Sequence, residues 1–250
     1  MTTRRALLIS NPGKEGAENF CKGVFVDIKK YKQFLTSPLG GAWLSSEIVH
    51  LDKPTSTQVD AEVYKLGSFG YTFILFTGHG YFSNQTTMLE LKENENYDSL
   101  NLRKFTTKRT ILLDCCRKVV RPERIFKVAM DSAVESLNKR SLTTTECRKY
   151  FDKEIENCPD GNIVCYSCVK DEVSGDDGGN GGFYVSSLLE ATNNWFKKND
   201  VDLTKDYAKY SIAKAHDAAI SLVARLSGDK QHPEITKARS APYFPFAVMA

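Results

Sequence analysis

Two stretches decide how this chain folds: Tyr71–Gly80, YTFILFTGHG, and Arg109–Arg117, RTILLDCCR. Each is a short apolar run that ends at a reactive side chain. Such runs, apolar throughout rather than alternating, read as strands buried on both faces, as inside a parallel sheet. The first delivers His79 between two glycines, and the second delivers Cys115 and Cys116. In open parallel sheets chemistry collects beyond the carboxyl ends of the strands. Both motifs sit at such ends, which points to a thiol and an imidazole held side by side.

Outward from these strands the pattern alternates. Arg5–Ser10 reads as a buried first strand, cut by the turn signal Asn11-Pro12-Gly13. Cys21–Leu35 carries Val24, Ile28, Tyr31 and Leu35 at helical spacing, and Gly40-Gly41 ends the segment. Glu47–Leu51 is a second strand. Thr55–Leu66 is a helix with a capping box of Thr55 and Gln58 and a stop at Gly67. Met88–Lys92 reads as a small hairpin or loop excursion. After Cys116, Lys118–Leu142 is charged and reads as a mobile connection. Thr143–Glu156 is a helix, Asn162–Ser167 a strand, and Lys170–Gly182 a loop rich in Gly and Asp. Phe183–Phe196 and Thr204–Leu226 are helices. Tyr243–Val248, with Pro245 inside it, suits an edge strand or final extended segment. This order predicts an α/β fold, a parallel sheet with helices on both faces.

The length of 250 residues suits a single domain over 1–250. A net charge of +3 with no basic run argues against nucleic acid as a partner. No stretch approaches the roughly 18 apolar residues of a spanning helix, and the first ten residues lack a signal-peptide core, so no membrane is expected. Seven cysteines, an odd number, fit free thiols in a reducing compartment better than a disulfide framework, and a cytoplasmic location is expected.

Thiol chemistry on an amide requires a thiolate, a proton donor for the leaving amine, and backbone N–H groups for the oxyanion. His79 is suited to the second task, and glycine beside it lets backbone approach a substrate. Gly80 and the amide of the nucleophile are the natural oxyanion donors. Taken singly, Gly-His-Gly is a common loop sequence, and two cysteines at a strand end are often small buried hydrophobes. Their joint placement is what gives them weight. Alternation along a strand turns Cys115 and Cys116 to opposite sides, so one faces the site and the other packs inward.

TGHG followed by LLDCCR resembles the caspase-like clan of cysteine peptidases, above all its prokaryotic and metacaspase branches, which read [ST]-G-H-G and then D-x-C. The similarity continues through Ile163–Cys168, the Gly181-Gly182-Phe183 helix start and Phe244–Val248. The resemblance implies a three-layer α/β/α sandwich around a mostly parallel, roughly six-stranded sheet. It implies a Cys-His dyad in which His79 is the general acid/base and Cys116 the nucleophile, with Gly80 and Cys116 supplying oxyanion amides. Asp114, two residues before Cys116, would line a pocket for Arg or Lys before the scissile bond, and Asp171 would be the second acid there. The implied activity is endopeptidase cleavage of protein or peptide substrates, with an upstream activating protein as a further partner. One departure stands out: the family has a small residue soon after the catalytic cysteine, and this chain has Arg117-Lys118.

No cofactor or metal is expected. The acidic loop of Asp171, Glu172, Asp176 and Asp177 is the one stretch whose composition suits calcium, as in some metacaspases, but its spacing matches no EF-hand. Cys147, Cys158, Cys165 and Cys168 match no zinc pattern. Lys139-Arg140 is a site at which a basic-specific enzyme could cut itself. Two other functions compete. One is a catalytically silent caspase-like module that binds protein partners. The other is a nucleotide-binding α/β domain, which the Asn11–Gly16 turn does not support because it lacks both phosphate-binding glycine patterns.

Overall fold

The computed structural model describes residues 2–119, 143–198 and 207–250. Most of the expected mobile connection, with Lys139-Arg140, lies outside these residues, as does the start of the helix expected from Thr204. In chain order the elements are β1 (Arg4–Asn11), α1 (Gly23–Thr36), β2 (Ile48–Asp52), α2 (Ser56–Leu66), β3 (Tyr71–Gly78), β4 (Gly80–Ser83), β5 (Thr86–Lys92), β6 (Glu95–Asp98) and β7 (Lys108–Asp114). Then come α3 (Thr144–Asn157), β8 (Gly161–Tyr166), β9 (Asp176–Asp177), β10 (Gly181–Gly182), α4 (Phe183–Lys197), β11 (Ala208–Ser211), α5 (Ile212–Ser227), β12 (Glu234–Thr236) and β13 (Pro245–Met249).

Six strands form the central sheet in the order β12-β8-β7-β3-β1-β2. All neighbours are parallel except β12, which runs antiparallel to β8. Strand alternation divides the core into two layers. Ala6, Leu8, Phe73, Leu75 and Leu112 face α1, α3, α4 and α5. Leu7, Ile9, Ile74, Phe76, Ile111 and Leu113 face α2 and the β4-β5-β6 meander. Strands covered on both faces need apolar residues at every position, which is why these runs do not alternate. The result is the expected three-layer α/β/α sandwich.

Local chemistry sets the helix starts. Thr55 Oγ1 accepts the Gln58 N–H at 3.2 Å while Gln58 Oε1 accepts the Thr55 N–H at 2.8 Å, closing the capping box that opens α2. The helix expected from Thr204 instead begins at Ile212, because Ser211 caps it through Lys214 N at 3.3 Å. Ala208–Ser211 before it is a strand, paired antiparallel with β13. The final extended segment therefore belongs to this separate two-stranded ribbon, not to the main sheet. Pro245 stands at its first residue beside an irregularity in the pairing, where a missing N–H costs least. The edge strand β12 has no apolar run and owes its existence to pairing with β8. No helix among the described residues is long and apolar enough to cross a membrane. All seven cysteines are free thiols.

Candidate active site

The neighbouring strands β3 and β7 bring the two motifs together. Their last registered pair is Thr77 opposite Asp114. His79 and Cys116 each lie two residues farther along, on strands about 4.8 Å apart. The two thiols separate as alternation requires. Cys115 is 1% exposed and belongs to the core beneath the meander. A Cβ on Gly80 would stand 2.8 Å from its sulfur. Cys116 is only part-buried and its S–H donates to the Ser174 carbonyl at 3.7 Å. Burial, with the Asp114 and Glu90 charges, pushes the Cys116 thiol up to about 11.

His79 is buried, and its carbonyl accepts the Glu90 N–H at 3.0 Å. The sulfur of Cys21 lies 3.8 Å from its Nε2. His79 also lines an open cleft of 710 Å³, together with Asn11, Gly13, Lys53, Tyr81, Glu90 and Lys92 among others. Cys21 carried no signal in the sequence, since a single cysteine at a helix start has no motif around it.

Asp114 is 4% exposed and accepts Ser174 Oγ at 2.5 Å and Val185 N at 3.4 Å. Its acidic neighbour is Asp27 of α1, 1% exposed, which accepts Thr77 Oγ1 at 2.8 Å and Gly182 N at 3.0 Å. Gly182 lies between the two carboxylates, and a Cβ there would overlap Asp114. Burial, then the charge of Asp114, raises Asp27 well above the usual carboxylate range. Burial raises Asp114 to about 6 against the hydrogen bonds from Ser174 and Val185. No cation among the described residues forms an ion pair with either acid.

The expected second acid, Asp171, is elsewhere. It takes a left-handed conformation, φ 72°, just beyond β8, and its carboxylate accepts the Val119 N–H at 3.3 Å. Its own N–H donates to the Arg117 carbonyl at 2.9 Å. Asp171 therefore ties down the chain after Cys116, and the acids close to Asp114 are Asp27 and Asp176. The sequence did hold a signal for this: Asp27 lies within the apolar stripe of Val24, Ile28 and Tyr31, where a charge is out of place. The rest of the acidic loop also makes local contacts: Glu172 pairs with His232 at 2.7 Å, Asp176 accepts Gly23 N at 3.1 Å, and Asp177 accepts Gly179 N at 3.2 Å and Asn180 Nδ2 at 2.8 Å. Among the described residues no group of three or more His, Cys, Asp or Glu is arranged to hold a metal ion.

The unusual Arg117 has a structural explanation. It is buried, with its guanidinium 4.1 Å from the Tyr166 ring centroid. It donates to Thr87 Oγ1, to the Cys168 carbonyl at 3.0 Å and to Glu234 at 2.6 Å.

A three-layer sandwich with a thiol and an imidazole at adjacent parallel strand ends defines a class, the cysteine peptidases of α/β fold. The family model for the caspase domain matches residues 3–244, and the chain belongs to that family. The crystal structure of caspase-1 from Spodoptera frugiperda is similar in fold, with a TM-score of 0.57 at 12% identity over 94% of this chain and 86% of that one. No curated protein matches the chain.

Proposed function

We propose that this caspase-family chain is an endopeptidase that cleaves after Arg or Lys through a Cys116-His79 dyad. The observation that carries the specificity is the buried pair Asp27 and Asp114. Two carboxylates held in low dielectric without a cation repel each other and resist ionisation. If the Ser174–Gly182 loop moves aside, a guanidinium or ammonium can reach them and relieve both costs through charge-assisted hydrogen bonds. An aspartate side chain there would add a third negative charge. Asp114 lies two residues before Cys116, which suits contact with a side chain just ahead of the bond being cut.

In the reaction the Cys116 proton passes to His79 while sulfur attacks the carbonyl carbon. The N–H groups of Gly80 and Cys116 receive the oxyanion, each worth about 3 kcal/mol. His79 then protonates the leaving amine. A thiol pushed up to about 11 is not a preformed thiolate, so proton transfer accompanies attack. Ser174 occupies both Cys116 and Asp114, so this is a resting arrangement, which supports an upstream event or partner that frees the loop. The alternative of a silent binding module predicts no turnover under any condition.

The test is a positional-scanning peptide library with the wild type and the Cys116→Ala and Cys115→Ala variants. Cleavage after Arg or Lys, lost only in Cys116→Ala, is the expected result. A preference for Asp at that position refutes the specificity.

A further inference from the structure

The Nε2–Cδ2 edge of the His79 ring faces the segment between β1 and α1. Nε2 lies 3.8 Å from the Cys21 sulfur. A Cβ on Gly13 would stand 2.8 Å from the same nitrogen, and Gly13 holds φ +84°, so this close packing needs glycine. Both residues belong to the segment between β1 and α1, where the Cys21 N–H donates to the Pro12 carbonyl at 2.8 Å. The sheet order places β1 on one side of β3 and β7 on the other. Cys21 follows β1 and Cys116 follows β7. The imidazole leaving β3 therefore turns Nε2 toward the β1 flank and its Nδ1 edge away from it.

The thiol of Cys21 is also oriented. The Asn19 carbonyl, 3.5 Å from the sulfur, offers its S–H an acceptor, and an S–H placed there leaves a sulfur lone pair for the ring. A lone pair at that point favours the tautomer with hydrogen on Nε2, because the partner of one ring nitrogen decides which nitrogen carries the proton.

We infer that Cys21 is a positioning residue that holds His79 in its Nε2–H tautomer and keeps the Nδ1 lone pair open for Cys116. This rests on the reading of His79 and Cys116 as the catalytic pair. In acylation the proton leaves Cys116 Sγ for Nδ1 as sulfur bonds the carbonyl carbon. The same proton then passes to the amine nitrogen as the carbon–nitrogen bond breaks. The Nε2–H stays on its nitrogen throughout, anchored on the Cys21 sulfur, so the ring need not turn between the two transfers.

The test compares Cys21→Ala and Cys21→Ser in the full chain, by steady-state kinetics on an Arg-containing peptide and by nitrogen NMR of histidine-labelled protein. Cys21→Ala should lower kcat about tenfold with KM unchanged, a part of the roughly 100- to 10,000-fold that general acid–base catalysis supplies. Its His79 signals should shift from the Nε2–H form to a mixture. Cys21→Ser, whose hydroxyl can also accept, should restore both. Wild-type kcat with an unchanged tautomer in Cys21→Ala overturns the assignment, as does a change in KM alone. If Cys21→Ala abolishes hydrolysis while Cys116→Ala retains it, Cys21 is the nucleophile and the assignment fails. If the wild type cleaves no peptide, the catalytic reading fails, and the NMR comparison still decides whether Cys21 sets the tautomer.

Discussion

The Cys116 thiol is covered by Ser174, whose carbonyl receives its S–H at 3.7 Å. The hydroxyl of the same residue binds Asp114 at 2.5 Å, so one residue occupies both the thiol and the acid. Ser174 is held in turn by the buried Gln231, which accepts the Gly175 N–H at 2.8 Å and donates to Ser174 Oγ at 3.3 Å and to the Ser167 carbonyl at 2.9 Å.

Gln231→Ala should therefore expose the thiol. Losing the two bonds to this loop costs about 1 kcal/mol or more of local stability, enough for a roughly fivefold rise in the open population. The rate of Cys116 alkylation by iodoacetamide, followed by peptide mass spectrometry, should rise by that factor. An unchanged or slower rate means that Gln231 does not hold the loop.

The two neighbouring thiols should behave differently. Cys116→Ala should abolish hydrolysis, whereas Cys115→Ala, buried against Gly80, should keep activity and lose about 1 kcal/mol of stability. Kinetics and denaturant titration on both variants separate them. Activity surviving in Cys116→Ala alone would reverse the assignment.

Asp114 makes stability depend on pH. Its value is raised in the folded protein from 3.8 to about 6, so ionisation is penalised in the native state. That penalty is absent below about pH 4, grows up to about pH 6 and is constant above it, where it reaches about 3 kcal/mol. Asp114→Asn removes it, and melting temperatures should rise relative to wild type at pH 7.5 and not at pH 3.5. The same variant should lose cleavage after Arg. Equal differences at the two pH values would show that the carboxylate is not strained.

Arg117→Met should be strongly destabilising although Arg117 adjoins the nucleophile. The change strips a hydrogen bond from the buried Cys168 carbonyl and removes the stacking on Tyr166, together costing about 2–4 kcal/mol. Urea unfolding measures this, and a loss below about 0.5 kcal/mol would rule out the structural role.

Much of the fold could be read from residue order because it rests on local pattern. The apolar runs at Tyr71–Phe76 and Thr110–Leu113 specify strands covered on both faces, and the abrupt polar ends place His79 and Cys116. What failed were features made by partners distant in sequence. Strand β12 has no apolar run and exists because β8 offers it a ladder. The start of α5 moved because β13, far along the chain, pairs with the residues before it.

The sequence by itself determined the sandwich, the strand ends and which residues carry sulfur and imidazole, since burial periodicity is a property of neighbouring residues. Only the tertiary structure decided that Asp27 lies beside Asp114 while Asp171 bonds the chain after Cys116, that Cys21 touches His79 and that Ser174 lies on Cys116. Each of these contacts joins segments from different elements across the top of the sheet, and its energy comes from desolvation and charge in a shared cavity. No local pattern encodes which groups will share that cavity until the chain has packed.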